Sequence, residues 1–268
     1  MRGAGIAGAL LLAACAESPA GDGGIVSLNP CADAMLVRLV EPGRIAAISL
    51  YSRQAGATSL SLDMARRFRA TAGTAEEVVA MRPDLVLASS FTPPPTRAAF
   101  ERAGLRALYI DSPTTVAASK AQVAEIAAAV GEAERGRGLV AAIDRAIGAY
   151  GSPEAEWEKR PSALLFITGD LVNGSGTLLD ELLTRSGFVN AAARYGLRYT
   201  GTLPAELIVS DPPDVILTPD LGGRVAEMRR RLLPDTPVAA FPRELVNCGG
   251  PSIAPALRRL REVRASLG

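Results

Sequence analysis

The feature that most limits the possible folds is a local unit that occurs twice. Glu76 is followed seven positions later by Pro83-Asp84-Leu85-Val86-Leu87, and 130 residues further on Glu206 is followed by Pro213-Asp214-Val215-Ile216-Leu217. An acid opening a short helix, a Pro-Asp pair ending it and a run of apolar residues describe helix, turn and fully buried parallel strand. Two copies imply two similar α/β lobes, each with a carboxylate at the same place. A length of 268 residues suits that arrangement, being more than one ordinary core holds.

Charge and composition remove several function classes. Lys and Arg number 29 against 28 Asp and Glu, so the chain lacks the basic field that nucleic acid recognition needs. It has no histidine, which excludes the usual zinc sites, most general-base catalysis and the commonest haem ligation. No protein metal site or resident cofactor is expected. A metal that arrives already chelated in an organic ligand stays compatible, because the protein need not donate nitrogen to it.

At the N-terminus Arg2 precedes the apolar run Ile6 to Leu12, which is too short to span a bilayer and ends in Ala13-Ala14-Cys15. This reads as an export signal. Leu12-Ala13-Ala14-Cys15 resembles a bacterial lipobox, with Cys15 the lipidated first mature residue; cleavage after Ala14 or Ala16 to give a soluble periplasmic protein is the alternative. Residues 1–24 are thus assigned to signal, lipobox and tether, and a lipid anchor is the only membrane contact expected.

From Ile25 short apolar runs alternate with amphipathic stretches. Strands are expected at 25–28, 45–49, 84–88 and 106–110, with helices at 30–40, 75–81 and 95–103, forming an N-terminal α/β lobe over 25–113. An Ala-rich stretch from about 115 to 150 has Val123, Ile126, Val130, Leu139, Ile143 and Ile147 at helical spacing. It predicts one long linking helix, kinked near Gly131 or Gly136 to Gly138, within a connection over 114–160. A C-terminal lobe over 161–268 follows, with strands at 163–167, 214–218 and 237–240 and helices at 176–186, 204–210, 222–232 and 252–266. A helical link predicts small hinge motion.

In open parallel sheets ligands bind beyond the carboxyl ends of the strands. The loops concerned are Asn29 to Asp33, Ser49 to Gln54, Ser89 to Pro94, Thr168 to Thr177 and Asn247 to Pro251. They carry Tyr51, Arg53, Phe91, Asn173 and Asn247, a mixture of flat apolar and hydrogen-bonding groups. Trp157, the only tryptophan, lies in the connection and is assigned to packing.

Ile25-Val26-Ser27-Leu28-Asn29-Pro30, Ser49-Leu50-Tyr51-Ser52, Gly73 to Glu77 and Pro83-Asp84-Leu85-Val86 resemble segments of the periplasmic cobalamin and iron-chelate binding proteins of ABC importers. The similarity runs from about Ile25 to Leu267 and is nearest the cobalamin branch through Ser49 to Ser52; other branches carry siderophores or haem. It implies the class III periplasmic-binding-protein fold, a monomer with two β-α-β lobes, a long interdomain helix and a metal chelate held between the lobes. It further implies that Glu76 and Glu206 dock on arginines of the permease, which works with its ATPase. Tyr51 matches the position of a ligand-facing aromatic ring, and a tyrosine suits a flat macrocycle. Arg53, Phe91 and Asn29 are further ligand candidates.

Arg194, Tyr195, Arg198 and Tyr199 form a polar aromatic cluster ahead of Glu206, either lining the second lobe or solvated. Where relatives often carry a glutamate early in the first helix, this chain has Asp33-Ala34. Cys31 and Cys248 lie ahead of predicted helices, one per lobe. Export allows a bridge between them, which requires Cα atoms within about 7 Å, less than a ligand-wide cleft; thiols facing a soft metal centre are the sharper alternative and inert burial the third reading. Two other classes of function compete with import: a tetrapyrrole metal-chelatase-like enzyme, opposed by the absence of histidine, and a ligand-sensing lipoprotein.

Overall fold

The computed structural model describes residues 23–150, 160–246 and 248–268. Cys15, Trp157 and Asn247 lie outside these residues, as does the proposed signal. The first lobe runs β1 (Ile25–Ser27), α1 (Pro30–Leu39), β2 (Ile45–Ser49), α2 (Leu62–Ala65), β3 (Ala70–Thr71), α3 (Ala75–Met81), β4 (Leu85–Ser89), α4 (Pro94–Arg102) and β5 (Ala107–Ile110). Its strands form a parallel sheet in the order β3-β2-β1-β4-β5. Residues alternate across it, so Ile25, Ile48, Leu85 and Leu87 pack towards α1 while Val26, Ala47, Val86 and Ala88 pack towards α3 and α4. Burial on both faces is why these strands read as continuous apolar runs.

Next come α5 (Val116–Ala129) and α6 (Ala133–Tyr150). The expected single helix is therefore broken. Gly131 adopts φ +76°, a left-handed conformation that ends α5 after its cap at Val130 and turns the chain back. The two helices form a hairpin: Lys120 pairs with Asp144 at 2.6 Å, and Gly136 packs directly on Ala127 with no room for a Cβ. Gly136 and Gly138 do not kink α6; Gly136 allows close approach instead. α5 places Val123, Ile126 and Ala127 in the first core, whereas α6 crosses from Leu139 and Val140, packed on that core, to Ile143 and Ala146 in the second. α5 reaches across as well, placing Val116 in the second core, where its N–H donates to Glu181 at 2.7 Å.

The second lobe comprises β6 (Ser162–Thr168), β7 (Leu171–Asn173), α7 (Leu178–Arg185), β8 (Val189–Asn190), α8 (Ala191–Arg194), β9 (Thr200–Thr202), α9 (Ala205–Ser210), β10 (Val215–Thr218), α10 (Gly223–Leu232), β11 (Val238–Ala240), α11 (Arg243–Val246) and α12 (Ile253–Ser266). Its sheet has the order β11-β10-β6-β7-β9, with β8 also on β6. β6, β10 and β11 are parallel, whereas β7 is antiparallel to both β6 and β9. The segment Thr168 to Thr177, expected as loop, thus contains a strand.

The repeated Pro-Asp unit has one structural role in both lobes. Asp84 accepts the Gly24 N–H at 2.7 Å and Asp214 accepts the Ser162 N–H at 2.7 Å, each aspartate fixing the start of the neighbouring central strand. These bonds hold the Asp214 carboxyl below the usual carboxylate range, the Ser162 N–H contributing most.

Candidate functional site: the cleft between the lobes

The carboxyl ends of β1 and β5 and residues of the second lobe line a half-open cavity of about 340 Å³. Asn29, Pro30 and Cys31 line it from the end of β1, Asp111 to Pro113 from the end of β5, and Ala57 from the loop beyond β2. The second lobe contributes Ile167, Asn173, Thr177, Thr200, Val246 and Cys248. Of the expected ligand residues, Asn29, Cys31 and Cys248 line this cavity.

Cys31 and Cys248 are joined in a disulfide with a Cα separation of 5.1 Å. This corrects the expectation of free thiols offered to a metal centre: bonded sulfurs supply no thiolate. The gap is not ligand-wide here, because the segment carrying Cys248 reaches across to the first lobe. Gly250 donates its N–H to Ser119 Oγ at 2.6 Å, and Gly249 packs directly on Ser119. On another side Gly56 packs on the Arg243 side chain, which is held by Asp220 at 2.7 Å. That hydrogen bond from Arg243 keeps the Asp220 carboxyl below its ordinary range.

Tyr51 and Phe91 do not line the cavity itself. They follow β2 and β4 and so lie on the same sheet edge, on either side of the β1 loop that carries Cys31. Both rings point outward, Tyr51 60% and Phe91 81% exposed. Each sits on a fixed base. Arg97 stacks on Tyr109 at 4.1 Å and donates to the Thr92 carbonyl at 2.9 Å and to that of Ser90, which pins the loop bearing Phe91.

The base under Tyr51 is Asp33. This carboxylate is fully buried and accepts the Ser49 N–H at 3.0 Å and Ser52 Oγ at 2.6 Å, holding the single turn Leu50–Arg53 that displays the tyrosine. Burial pushes the Asp33 carboxyl up to about 7, partly opposed by hydrogen bonds from Ser27, Ser52 and the Ser49 backbone. Arg53 is exposed and donates to the Phe68 carbonyl, away from the cavity lining. Asn29 caps α1, accepting from Cys31 N at 2.8 Å and Ala32 N at 3.3 Å.

The aromatic cluster before Glu206 divides. Tyr195 donates to the Asp211 carbonyl at 2.5 Å and Arg194 pairs with Asp211 at 3.4 Å, so these two fasten α8 to the end of α9. Arg198 and Tyr199 stay together on the strand edge next to Thr200, with Tyr199 60% exposed. Asn173 is buried, accepting from Thr177 Oγ1 at 2.9 Å. The lining residues Asp111 to Pro113 were not anticipated, although the rule applied to the other strand ends covers them too. Thr200 depends on the antiparallel strand pair, which carries no clear sequence signal.

Glu76 and Glu206 occupy the second position of α3 and α9 and are exposed. β3 runs parallel to β2, and β9 runs in the direction of β6, so both helices begin at the carboxyl edge of their sheet. The two acids therefore stand one per lobe at the carboxyl edge of their own sheet, in a first helical turn where the helix dipole favours negative charge.

Two α/β lobes with a cavity at their facing edges, joined through the α5–α6 hairpin, define a two-lobed binding protein. Residues 25–238 match the family described as periplasmic binding protein, and the chain belongs to that family, one of substrate-binding proteins and not of enzymes. Membership indicates a periplasmic location. Solved structures share the fold. The periplasmic heme-binding protein RhuT from Roseiflexus sp. RS-1 matches at TM-score 0.73 and 20% identity, over 91% of this chain and 97% of its own. The heme-binding protein HutB of Vibrio cholerae matches at 0.73 and 18%, over 91% and 98%. The vitamin B12 binding protein BtuF of Vibrio cholerae matches at 0.70 and 16%, over 92% and 98%. No curated protein matches the chain.

Proposed function

We propose that the chain is the substrate-binding component of an ABC importer, capturing a metal chelate of the tetrapyrrole kind in the interlobe cavity and delivering it to the permease. The observation that carries this reading is the arrangement at the cavity: a half-open space between the lobes with two fixed, exposed rings, Tyr51 and Phe91, on the adjoining sheet edge. Flat aromatic groups suit the face of a macrocycle. The similarity around Ser49 to Ser52 points to cobalamin.

Haem is favoured by a separate observation. A volume of about 340 Å³ lies at the low end of small-molecule sites. A thin planar chelate needs less separation between the lobes than a corrinoid substituted on both faces. With no histidine in the chain, iron in such a ligand would meet an oxygen donor, and a tyrosine phenolate is an accepted haem ligand.

Delivery is assigned to Glu76 and Glu206, whose exposure and equivalent placement suit contacts with basic permease residues. Anchoring through Cys15 is part of the same proposal. Titration of the purified protein with haemin, cyanocobalamin and ferric siderophores, followed by absorbance and intrinsic fluorescence, tests the ligand. Saturable binding of one tetrapyrrole is expected, and no response to any of them would remove this reading.

A further inference from the structure

We propose that the Cys31–Cys248 disulfide is a covalent clasp across the ligand cleft, which fixes the gap between the lobes and thereby selects a thin ligand over a thick one. The selection rests on the reading of the interlobe cavity as the ligand site. The clasp itself rests on the structure alone.

Both half-cystines line the cavity, one from each lobe. Each is carried on a rigid mount. Cys31 belongs to the first turn of α1, locked by the Asn29 cap and by the burial of Ala32, Ala34, Met35 and Leu36. Cys248 has φ +68° and leads into Gly249 and Gly250, which are wedged against Ser119, Val123 and Met35. A Cβ on Gly250 would stand 2.9 Å from Met35 Cε and 3.2 Å from Val123, so this segment sits where a side chain has no space.

With a Cα separation of 5.1 Å and no slack on either side, the bond forbids any movement that parts these two points. Rotation of one lobe against the other is then confined to axes passing near the bridge. The cavity floor keeps its width whether or not a ligand is present, and a guest needing a wider floor is rejected by geometry.

The bridge is partly solvent-accessible at both residues, so a small phosphine can reach it. The phosphine attacks one sulfur and releases the other as thiolate; water then takes the phosphorus, leaving two thiols and a phosphine oxide. The folded protein is to be treated with tris(carboxyethyl)phosphine, and C31S/C248S prepared in parallel. Two readouts are taken: amide hydrogen exchange along the chain, and the affinities for haemin and cyanocobalamin. Opening the bridge is expected to speed exchange at Cys31, Ala32, Gly249, Gly250 and Ser252 at least tenfold, with β4 and β10 unchanged. The affinity ratio is expected to move at least tenfold towards cyanocobalamin.

Unchanged exchange at both segments would overturn the clasp, as would two free thiols in untreated protein from the oxidising compartment. Loss of protection throughout the chain would make the bridge a requirement for folding and overturn it equally. Faster local exchange with an unchanged affinity ratio would overturn the selection. Should neither chelate bind, the ligand reading fails while the exchange data still decide the clasp.

Discussion

Cys31 and Cys248 are 217 residues apart in the chain and bonded to each other at the edge of the cavity. The connection closes nearly the whole folded chain into one loop, so it acts on the unfolded state as well as on the cleft. Replacing both cysteines by serine is expected to lower the unfolding free energy by about 2–5 kcal/mol. Urea titration of the variant against the oxidised protein measures this, and equal midpoints with equal slopes would contradict it.

Asp33 should give the protein an unusual pH dependence. Its carboxyl is pushed up to about 7 in the folded state, so between the ordinary aspartate range near 4 and pH 7 the folded form holds a proton that the unfolded form has lost. The stability contributed by this group is complete below about pH 4 and is lost as pH rises through about 7. Asp33→Asn should flatten that part of the profile. Comparing denaturation midpoints of the two proteins at pH 5 and pH 8 isolates Asp33 from carboxylates that titrate lower; parallel profiles would show that it does not titrate there.

Tyr51 is displayed on a turn held from below by Asp33, so its ring can be removed without disturbing the core. Tyr51→Ala is expected to weaken chelate binding about tenfold, consistent with ~0.5–1.5 kcal/mol for ring stacking beyond buried area. Thermal midpoint should change little. Equal affinity would move the contact to another residue on that edge, Phe91 first.

Reversing the charge at Glu76 and Glu206 together, as Glu76→Lys with Glu206→Lys, is expected to abolish import while leaving ligand affinity intact. Transport in vesicles carrying the permease and ATPase reports the first property, and titration of the isolated protein the second. Import at the normal rate would remove the docking role from these acids.

Gly136 is where α6 touches α5. A valine there has no room beside Ala127, and Gly136→Val is expected to cost about 1–3 kcal/mol through overpacking. Wild-type stability in chemical denaturation would mean that the hairpin can spread without loss.

Much of the fold was legible because its signals are local. Pro83-Asp84 and Pro213-Asp214 mark the starts of β4 and β10, and residues buried on both faces leave the apolar runs that identify β1, β2, β4, β6 and β10. The break between α5 and α6 was harder to see, since Gly131, Gly136 and Gly138 are alike in sequence and only the tertiary contact shows which of them turns the chain. β7 and β9, three residues each, are too short for alternation to register.

At the site, the strand-end rule led to the β1 loop and to the edge bearing Tyr51 and Phe91. It could not weigh the cysteines correctly, because their meeting depends on Gly249 and Gly250 fitting beside Ser119 and Met35. Asp33 was noted as a departure in residue type; its burial and its hold on Ser49 and Ser52 are tertiary facts.

The hairpin of α5 and α6 also bears on how the molecule could be divided. Val123, Ile126 and Ala127 of α5 complete the first core although they lie after the last strand of that lobe. A fragment stopped at Pro113 keeps α1 but exposes the apolar surface that α5 covers and should aggregate, whereas one carried through Glu132 retains that cover. Light scattering of the two fragments would distinguish them, and the nascent chain faces the same need before its first half can close.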